Sequence, residues 1–330
     1  MIFFITFLRA MAACLITNAH YEDIYPINII ANGGLIGDVL FFSVSGYCLC
    51  NIKCDNSFRG FCRWYGKRLW RIYPPVLVCT LVFLVIGQYS ISSHNIAWWL
   101  IYPTYYHFIA SIIILYIPFF FIMKIDFLRK QILSVMICIA IVWIIIYIFF
   151  YDKSYYHIDS VHEPMIRFLF MESMLLGALF RDNDKKLRNN SNKVCSVITI
   201  PFILIYFFSK LLFSKYQSIS QFQFINQIII FLLLVLVFRF FCGIDHKLEN
   251  MPKWIRSVVE FLSSLTLEIY LVQYVLISAI KGLSFPFPIN WILLTGSIII
   301  TAYILHISCK LLYKVIESLF SKQSLNKNSG

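Results

Sequence analysis

Charge is the scarcest property of this chain. Only 13% of its 330 residues are charged, against 60% hydrophobic, whereas soluble domains run at about 25% charged and about 45–50% apolar. That scarcity excludes a soluble globular domain, and it excludes disordered and coiled-coil chains as well. Acids are the scarcer sign, with 16 Asp and Glu against 28 Lys and Arg. Ten cysteines in a chain of this length are too thin for a disulfide scaffold. The sequence has no Gly-rich nucleotide loop and no His-Glu-x-x-His helix. No basic segment precedes the first apolar run, and Arg9 sits inside it, so that run does not fit a secretory signal and is expected to stay as a first helix.

What the chain has instead is apolar runs of membrane-spanning length. They fall at about 2–20, 30–50, 72–90, 106–123, 132–150, 164–181, 195–213, 225–241, 262–281 and 289–309, and a helix needs roughly 20 such residues to cross the hydrocarbon. Barrel strands would alternate in polarity, and these runs do not. The expected fold is therefore an all-α polytopic membrane protein with about ten transmembrane helices. Arg167 and Glu172 make 164–181 the weakest run. Residues 1–320 form a single transmembrane domain in this reading, with 182–193 a polar loop and 321–330 a polar, frayed tail. Trp98, Trp99, Tyr102, Tyr105 and Tyr106 suit an interfacial aromatic belt.

The surplus of positive charge supplies the orientation. Alternate loops and the tail carry 22 of the 28 basic residues, and the opposite side carries four. By the positive-inside rule the basic side is cytoplasmic and both termini lie there. The net charge of +12 is thus explained by topology, with no nucleic-acid partner required.

The few ionisable residues left inside the runs are expensive and each is a functional candidate. Arg9 and His20 are eleven apart in the first run, about three helical turns plus roughly 20°, which places them on one face about 16 Å apart. A snorkelling Arg and a capped interfacial His are the plain alternative. Asp38 lies in Gly37-Asp38-Val39-Leu40-Phe41-Phe42-Ser43-Val44-Ser45-Gly46-Tyr47, and a lone carboxylate there should be paired or neutral. Arg9 or His20 is its expected partner. Ser45 and Gly46 are small enough to allow close helix approach, which is a packing role as readily as a functional one. Tyr65-Gly66-Lys67-Arg68-Leu69-Trp70-Arg71-Ile72-Tyr73-Pro74-Pro75 places Arg68 and Arg71 three apart, on one face if helical. Two guanidiniums on one face suit phosphate oxygens; anchoring at anionic headgroups is the alternative.

Arg9-x10-His20, the Phe-Phe-x-x-Ser-Gly-Tyr helix and Arg-x-x-Arg before Ile-Tyr-Pro occur in that order within 75 residues. Together they resemble the membrane-bound acyltransferase 3 family, bacterial O-acyltransferases of cell-surface glycans. Ser263-Ser264-Leu265-Thr266-Leu267-Glu268-Ile269-Tyr270-Leu271-Val272-Gln273 looks like that family's late helix. Two departures stand out. Gln273 replaces a common His, so it cannot titrate near neutrality, and Ser263 stands where Gly is common.

The resemblance implies transfer of an acyl group from cytoplasmic acyl-CoA, with acetyl-CoA the expected donor, to a sugar hydroxyl. The acceptor would be a surface polysaccharide or its lipid-linked precursor, and the site the bacterial cytoplasmic (inner) membrane. The donor is a substrate and no metal is expected. Arg68 and Arg71, helped by Lys67 and Arg63, are placed to bind the phosphates of CoA. His20, with an ordinary pKa near 6.5, suits a general base; an acyl-histidine intermediate is left open. Arg9 would orient the donor or stabilise the oxyanion. Asp38 would hold Arg9 or fix the His20 tautomer. Glu268, Tyr270, Gln273, Arg167, Glu172 and Ser45 are secondary candidates. The rival function is a polytopic transporter or flippase for a glycan or other charged substrate, in which the same intramembrane charges form a path; internal repeats, frequent in transporters, are not evident here.

The remaining signals point to ordinary roles. Cys48, Cys50, Cys54 and Cys62 match no standard zinc spacing and face a reducing side, so free thiols are expected. His157, Asp159, His162 and Glu163 share the stretch 151–163, read as a solvated outer loop.

Overall fold

The computed structural model describes residues 2–90, 107–160, 162–184, 193–281 and 285–327. Among them every regular element is a helix. The longer ones are α1 (Phe3–Ala19), α2 (Gly34–Leu49), α3 (Phe58–Val85), α4 (His107–Lys124), α5 (Ile132–Phe150), α6 (Ile166–Asp182), α7 (Lys193–Lys215), α8 (Phe224–Gly243), α9 (Lys253–Ser264), α10 (Thr266–Lys281) and α11 (Ile289–Lys327). Each apolar run of the sequence holds at least one of them. The aromatic belt at 98–106 and most of the polar loop at 182–193 lie outside the described residues.

Among the described residues seven helices are long and apolar enough to cross a membrane, or eight if the broken pair α9 and α10 counts as one span. The expected count of ten is not reached by this measure. α1 is apolar but has 17 residues. α6 has the same length and carries Arg167, Glu172 and Arg181. α11, at 39 residues, is about 58 Å long. It outruns a hydrocarbon core of about 30 Å and continues helical into the stretch expected to fray.

The chain divides into two compact units. Unit 1 comprises residues 1–16, 33–65 and 107–264. Its tightest joint is between α2 and α6. A methyl group built on Gly46 would lie 1.9 Å from the Met174 carbonyl oxygen, and one on Gly177 would lie 1.9 Å from that of Ser43. Only a missing side chain on both helices permits such an approach. Phe42 and Phe170 stack beside it at 4.3 Å. The small pair that packs is therefore Gly46 with Gly177, and Ser45 is half-buried on another face of α2. Gly37 fits against Ala12 and Ile16 of α1 in the same way. The first turn of α1 is anchored by buried Asp245, whose carboxylate accepts the Phe4 amide at 2.6 Å, a negative group where the helix dipole favours one.

Unit 2 comprises residues 17–32, 66–106 and 265–330, and its described helices are the later part of α3, α10 and α11. Pro74 and Pro75 lie inside α3. Neither has an N–H to donate, so the carbonyl four residues before Pro74, that of Trp70, loses its helical partner. Tyr313 of α11 donates its hydroxyl to that oxygen at 3.0 Å. The segment between α1 and α2 is tied to α11 and α10 by Asn290 Nδ2 to the Ile24 carbonyl at 2.8 Å, a Tyr21–Thr295 hydroxyl contact at 3.2 Å, and Lys281–Asp23 at 2.5 Å.

Candidate active site and its surroundings

The basic stretch 58–71, expected as a loop, is already helical as the first half of α3. Arg68 and Arg71 therefore do share a helix at a spacing of three. Arg68 is half-buried, while Arg71, Lys67 and Arg63 are exposed. Arg71 lies close enough to Tyr313 to act on it electrostatically.

From that end, α10 carries a file of polar groups through unit 2. Glu268 is buried and accepts a hydrogen bond or ion pair from His306 Nδ1 of α11 at 2.8 Å. Tyr270 packs edge-on to Tyr274 at 6.1 Å. Gln273 is completely buried, and neither atom of its amide has a protein partner. Tyr274 reaches His20, hydroxyl to Nε2, at 3.1 Å, with the rings 4.7 Å apart. Thr17, three residues before His20, also has a buried hydroxyl with no partner. Glu268 and Tyr274 are six residues apart, or about 9 Å along the helix. Buried polar atoms are almost always paired, and an exception calls for an explanation. Here the three unpaired atoms adjoin the His20–Tyr274 contact in sequence.

His20 differs from its expected setting. α1 ends at Ala19, and His20 follows it in a turn, its amide bonded to the Thr17 carbonyl at 3.1 Å. The shared helical face with Arg9 is thus not carried by helix geometry at its outer end. Just before that end Asn18, still in α1, donates its side-chain amide to the carbonyls of Ile30 and Asn32 at 2.9 and 3.0 Å.

The expected ion pair of Arg9 with Asp38 does not form. Arg9 extends toward Cys48 at the far end of α2, with Nη2 to Sγ at 3.7 Å. Cys48 is ten residues from Asp38, about 15 Å along the helix. A long side chain able to reach the basic side gains solvation there. Asp38 is buried and close enough to Tyr206 of α7 to act on it, though no hydrogen bond joins them. Arg167 and Glu172 also fail to pair. Five residues apart on α6, they point about 140° apart. Arg167 Nε donates to Ser111 Oγ of α4 at 3.3 Å. Glu172 lines a cavity of about 260 Å³ with Trp143 and Gln227, and its Oε1 and the Trp143 Nε1 have no partner.

The stretch 151–163 is not simply a solvated loop. Asp159 turns inward beneath α7 and α8. Its carboxylate accepts hydrogen bonds from Tyr156 and from Asn226 Nδ2, the latter at 2.5 Å. Ser209 donates to Asn226 Oδ1 at 2.6 Å, and Gln223 accepts the amides of His157 and Ile158 at 2.9 and 3.0 Å. Burial raises the Asp159 carboxyl above the ordinary carboxylate range, against the opposing pull of Tyr156, Lys210 and Asn226. His157 stacks between Tyr151 and Tyr155 at 4.7 and 4.1 Å. Of the cysteine cluster, Cys50 is buried, which pushes its thiol up to about 11, while Cys48 and Cys62 are exposed.

A family model described as an acyltransferase domain, the acyltransferase 3 family, matches residues 2–308. The chain belongs to the acyltransferase 3 family. Comparisons with curated proteins and with solved structures each gave no match. With its apolar helices, this member of the family is a multi-pass membrane acyltransferase. The match spans both units and takes in Arg9, His20, Asp38, Arg68, Arg71 and the α10 file.

Proposed function

We propose that this acyltransferase moves an acetyl group from cytoplasmic acetyl-CoA to a sugar hydroxyl of a surface polysaccharide or its lipid-linked precursor, in the bacterial cytoplasmic membrane. The observation that carries the reading is the His20–Tyr274 contact in unit 2, made by the residue next in sequence to Gln273, whose buried amide is unpartnered. Arg68 and Arg71, at the basic end, hold the phosphates of CoA; Lys67 lies on the same end of α3. The acyl arm then follows the α10 file toward His20.

With the proton of His20 on Nε2, the Tyr274 oxygen accepts it, and the Nδ1 lone pair is left to act as base. Nδ1 takes the proton of the sugar hydroxyl as that oxygen bonds to the thioester carbonyl carbon. Collapse breaks the C–S bond, and the departing CoA sulfur takes the proton back from His20. The Gln273 amide offers a donor and an acceptor to a polar group of the bound substrate, which removes the cost of leaving it unpaired. Among the described residues Arg9 and Asp38 do not form the pair that would have tied them to this step, and the proposal rests on unit 2 alone.

His20→Ala should lower acetyl incorporation into the glycan by about 100-fold or more, with expression and membrane insertion unchanged. Mass spectrometry of the glycan for the added acetyl groups measures it. Retained activity would remove His20 from the mechanism, and glycan movement without acyl transfer would restore the transporter reading.

A further inference from the structure

Unit 1 contains a cavity of about 710 Å³ bounded by α4, the short helix Asp126–Lys130, α5 and α6. Its size is within the usual range for ligand sites, about 300–1,000 Å³. The wall is almost entirely apolar, from Leu115 and Ile122 on α4 to Val135 and Ile139 on α5. One full charge lines it, Arg167. Among the described residues the guanidinium has no carboxylate partner, only the neutral Ser111 hydroxyl.

Two more basic side chains gather at the same end. His107, the first residue of α4, packs against His162 with ring centroids 4.0 Å apart and lies within the electrostatic reach of both His162 and Arg167. One guanidinium with two imidazole rings near it, each able to donate a hydrogen bond, suits the oxygens of a phosphate. The cavity then runs toward the other end of α4. Its wall on α4 runs from Leu115 to Ile122, seven residues or about 10 Å. One leaflet of hydrocarbon is about 15 Å deep.

We propose that this cavity is a binding site for an anionic phospholipid of the leaflet at the His107 end. The phosphate is held by Arg167 with His107 and His162, and an acyl chain lies along α4 and α5. A zwitterionic lipid offers the same chain but adds a cation beside the Arg167 guanidinium.

The test uses the full chain in nanodiscs, with phosphatidylglycerol and phosphatidylcholine analogues carrying the same photoactivatable acyl chain. Cross-links are mapped by peptide mass spectrometry. The expected result is several-fold stronger labelling of Pro118–Ile122 and Ser134–Ile139 by the phosphatidylglycerol analogue. Arg167→Gln should bring that labelling down to the phosphatidylcholine level, while labelling near the basic loops stays unchanged; Arg167→Lys should retain part of the preference. Equal labelling by the two lipids in the unmodified protein overturns the proposal, as does a preference that survives Arg167→Gln. If Arg167→Gln does not fold, the comparison of the two lipids on the unmodified protein and on Arg167→Lys decides. The readout is lipid position and not transfer, so the result is separate from the fate of the acetyl-transfer proposal.

Discussion

Around Asp159 in unit 1, buried polar side chains find one another: Tyr156, Asn226 and Ser209 each give or take a hydrogen bond within the cluster. In unit 2, close in sequence to the His20–Tyr274 contact, the buried Gln273 amide and Thr17 hydroxyl find no protein partner. The first arrangement ties Asp159 Oδ2 and both ends of the Asn226 amide into the protein and fixes a loop, leaving Asp159 Oδ1 and the neighbouring Tyr206 hydroxyl unpartnered. The second leaves both ends of one amide without a protein partner, and in the proposed function the substrate meets them. Neither burial nor a single missing partner therefore marks a site by itself; an amide with both ends unpartnered, adjoining a titratable ring in sequence, does so better.

The largest test of that contrast exchanges the two amides for apolar groups of similar size. Asn226→Leu should cost about 1–3 kcal/mol for each hydrogen-bonding group it strands and lower the melting temperature clearly. Gln273→Met should leave the melting temperature unchanged or raised, because no protein bond is lost, yet reduce transfer about tenfold or more. Equal loss of stability in both would erase the distinction. A middle-sized effect is expected from Tyr274→Phe, which removes the acceptor of the His20 Nε2 proton. Transfer should fall by about tenfold, the worth of one hydrogen bond near 1.4 kcal/mol, and the acid limb of the pH–rate profile should move to lower pH. A profile that keeps its shape would make Tyr274 a packing residue.

Smaller effects concern unit 1. Because the Asp159 carboxyl is raised on folding, the folded state holds its proton more tightly than the unfolded chain, whose value is about 3.9. Its contribution is best below that value and is lost as pH rises toward the raised one. The melting temperature should fall over that window, and Asp159→Asn, neutral throughout, should flatten the fall. The smallest expected difference is chemical. Cys50, with its thiol pushed up to about 11 by burial, should resist alkylation at pH 8 while exposed Cys48 and Cys62 react, as read by peptide mass spectrometry.

Much of the fold was legible because hydrocarbon enforces it: a run of apolar residues must satisfy its own backbone, and each run proved helical. The break between α9 and α10 was not legible, since Ser263-Ser264-Leu265 contains neither proline nor glycine. The inward fold of 151–163 left only a faint trace, the polar Ser209, Asn226 and Gln227 inside otherwise apolar runs. On the site side, His20, Arg68 and Arg71 stood out by charge and spacing. Tyr274 did not, because a tyrosine in a membrane helix resembles a belt residue. The Arg9–Asp38 pairing failed for a physical reason too. Sequence gives the height of a Cα, whereas an arginine side chain chooses its own height by reaching for solvent.

The glycine joint of α2 with α6 also bears on how the chain is made. α6, with Arg167, Glu172 and Arg181, is a poor candidate for entering the bilayer unaided, each such charge near mid-membrane costing about 2.5–3.5 kcal/mol on insertion scales. α5 just before it is the most apolar span, with a mean hydropathy of 3.0, and can draw α6 in as the second arm of a hairpin. Only α2, already synthesised, offers Gly46 for Gly177 to meet. Biogenesis of this enzyme then depends on α2 waiting in the membrane for a helix made more than a hundred residues later, and a bulky residue at Gly46 would first be noticed by the cell's membrane quality control.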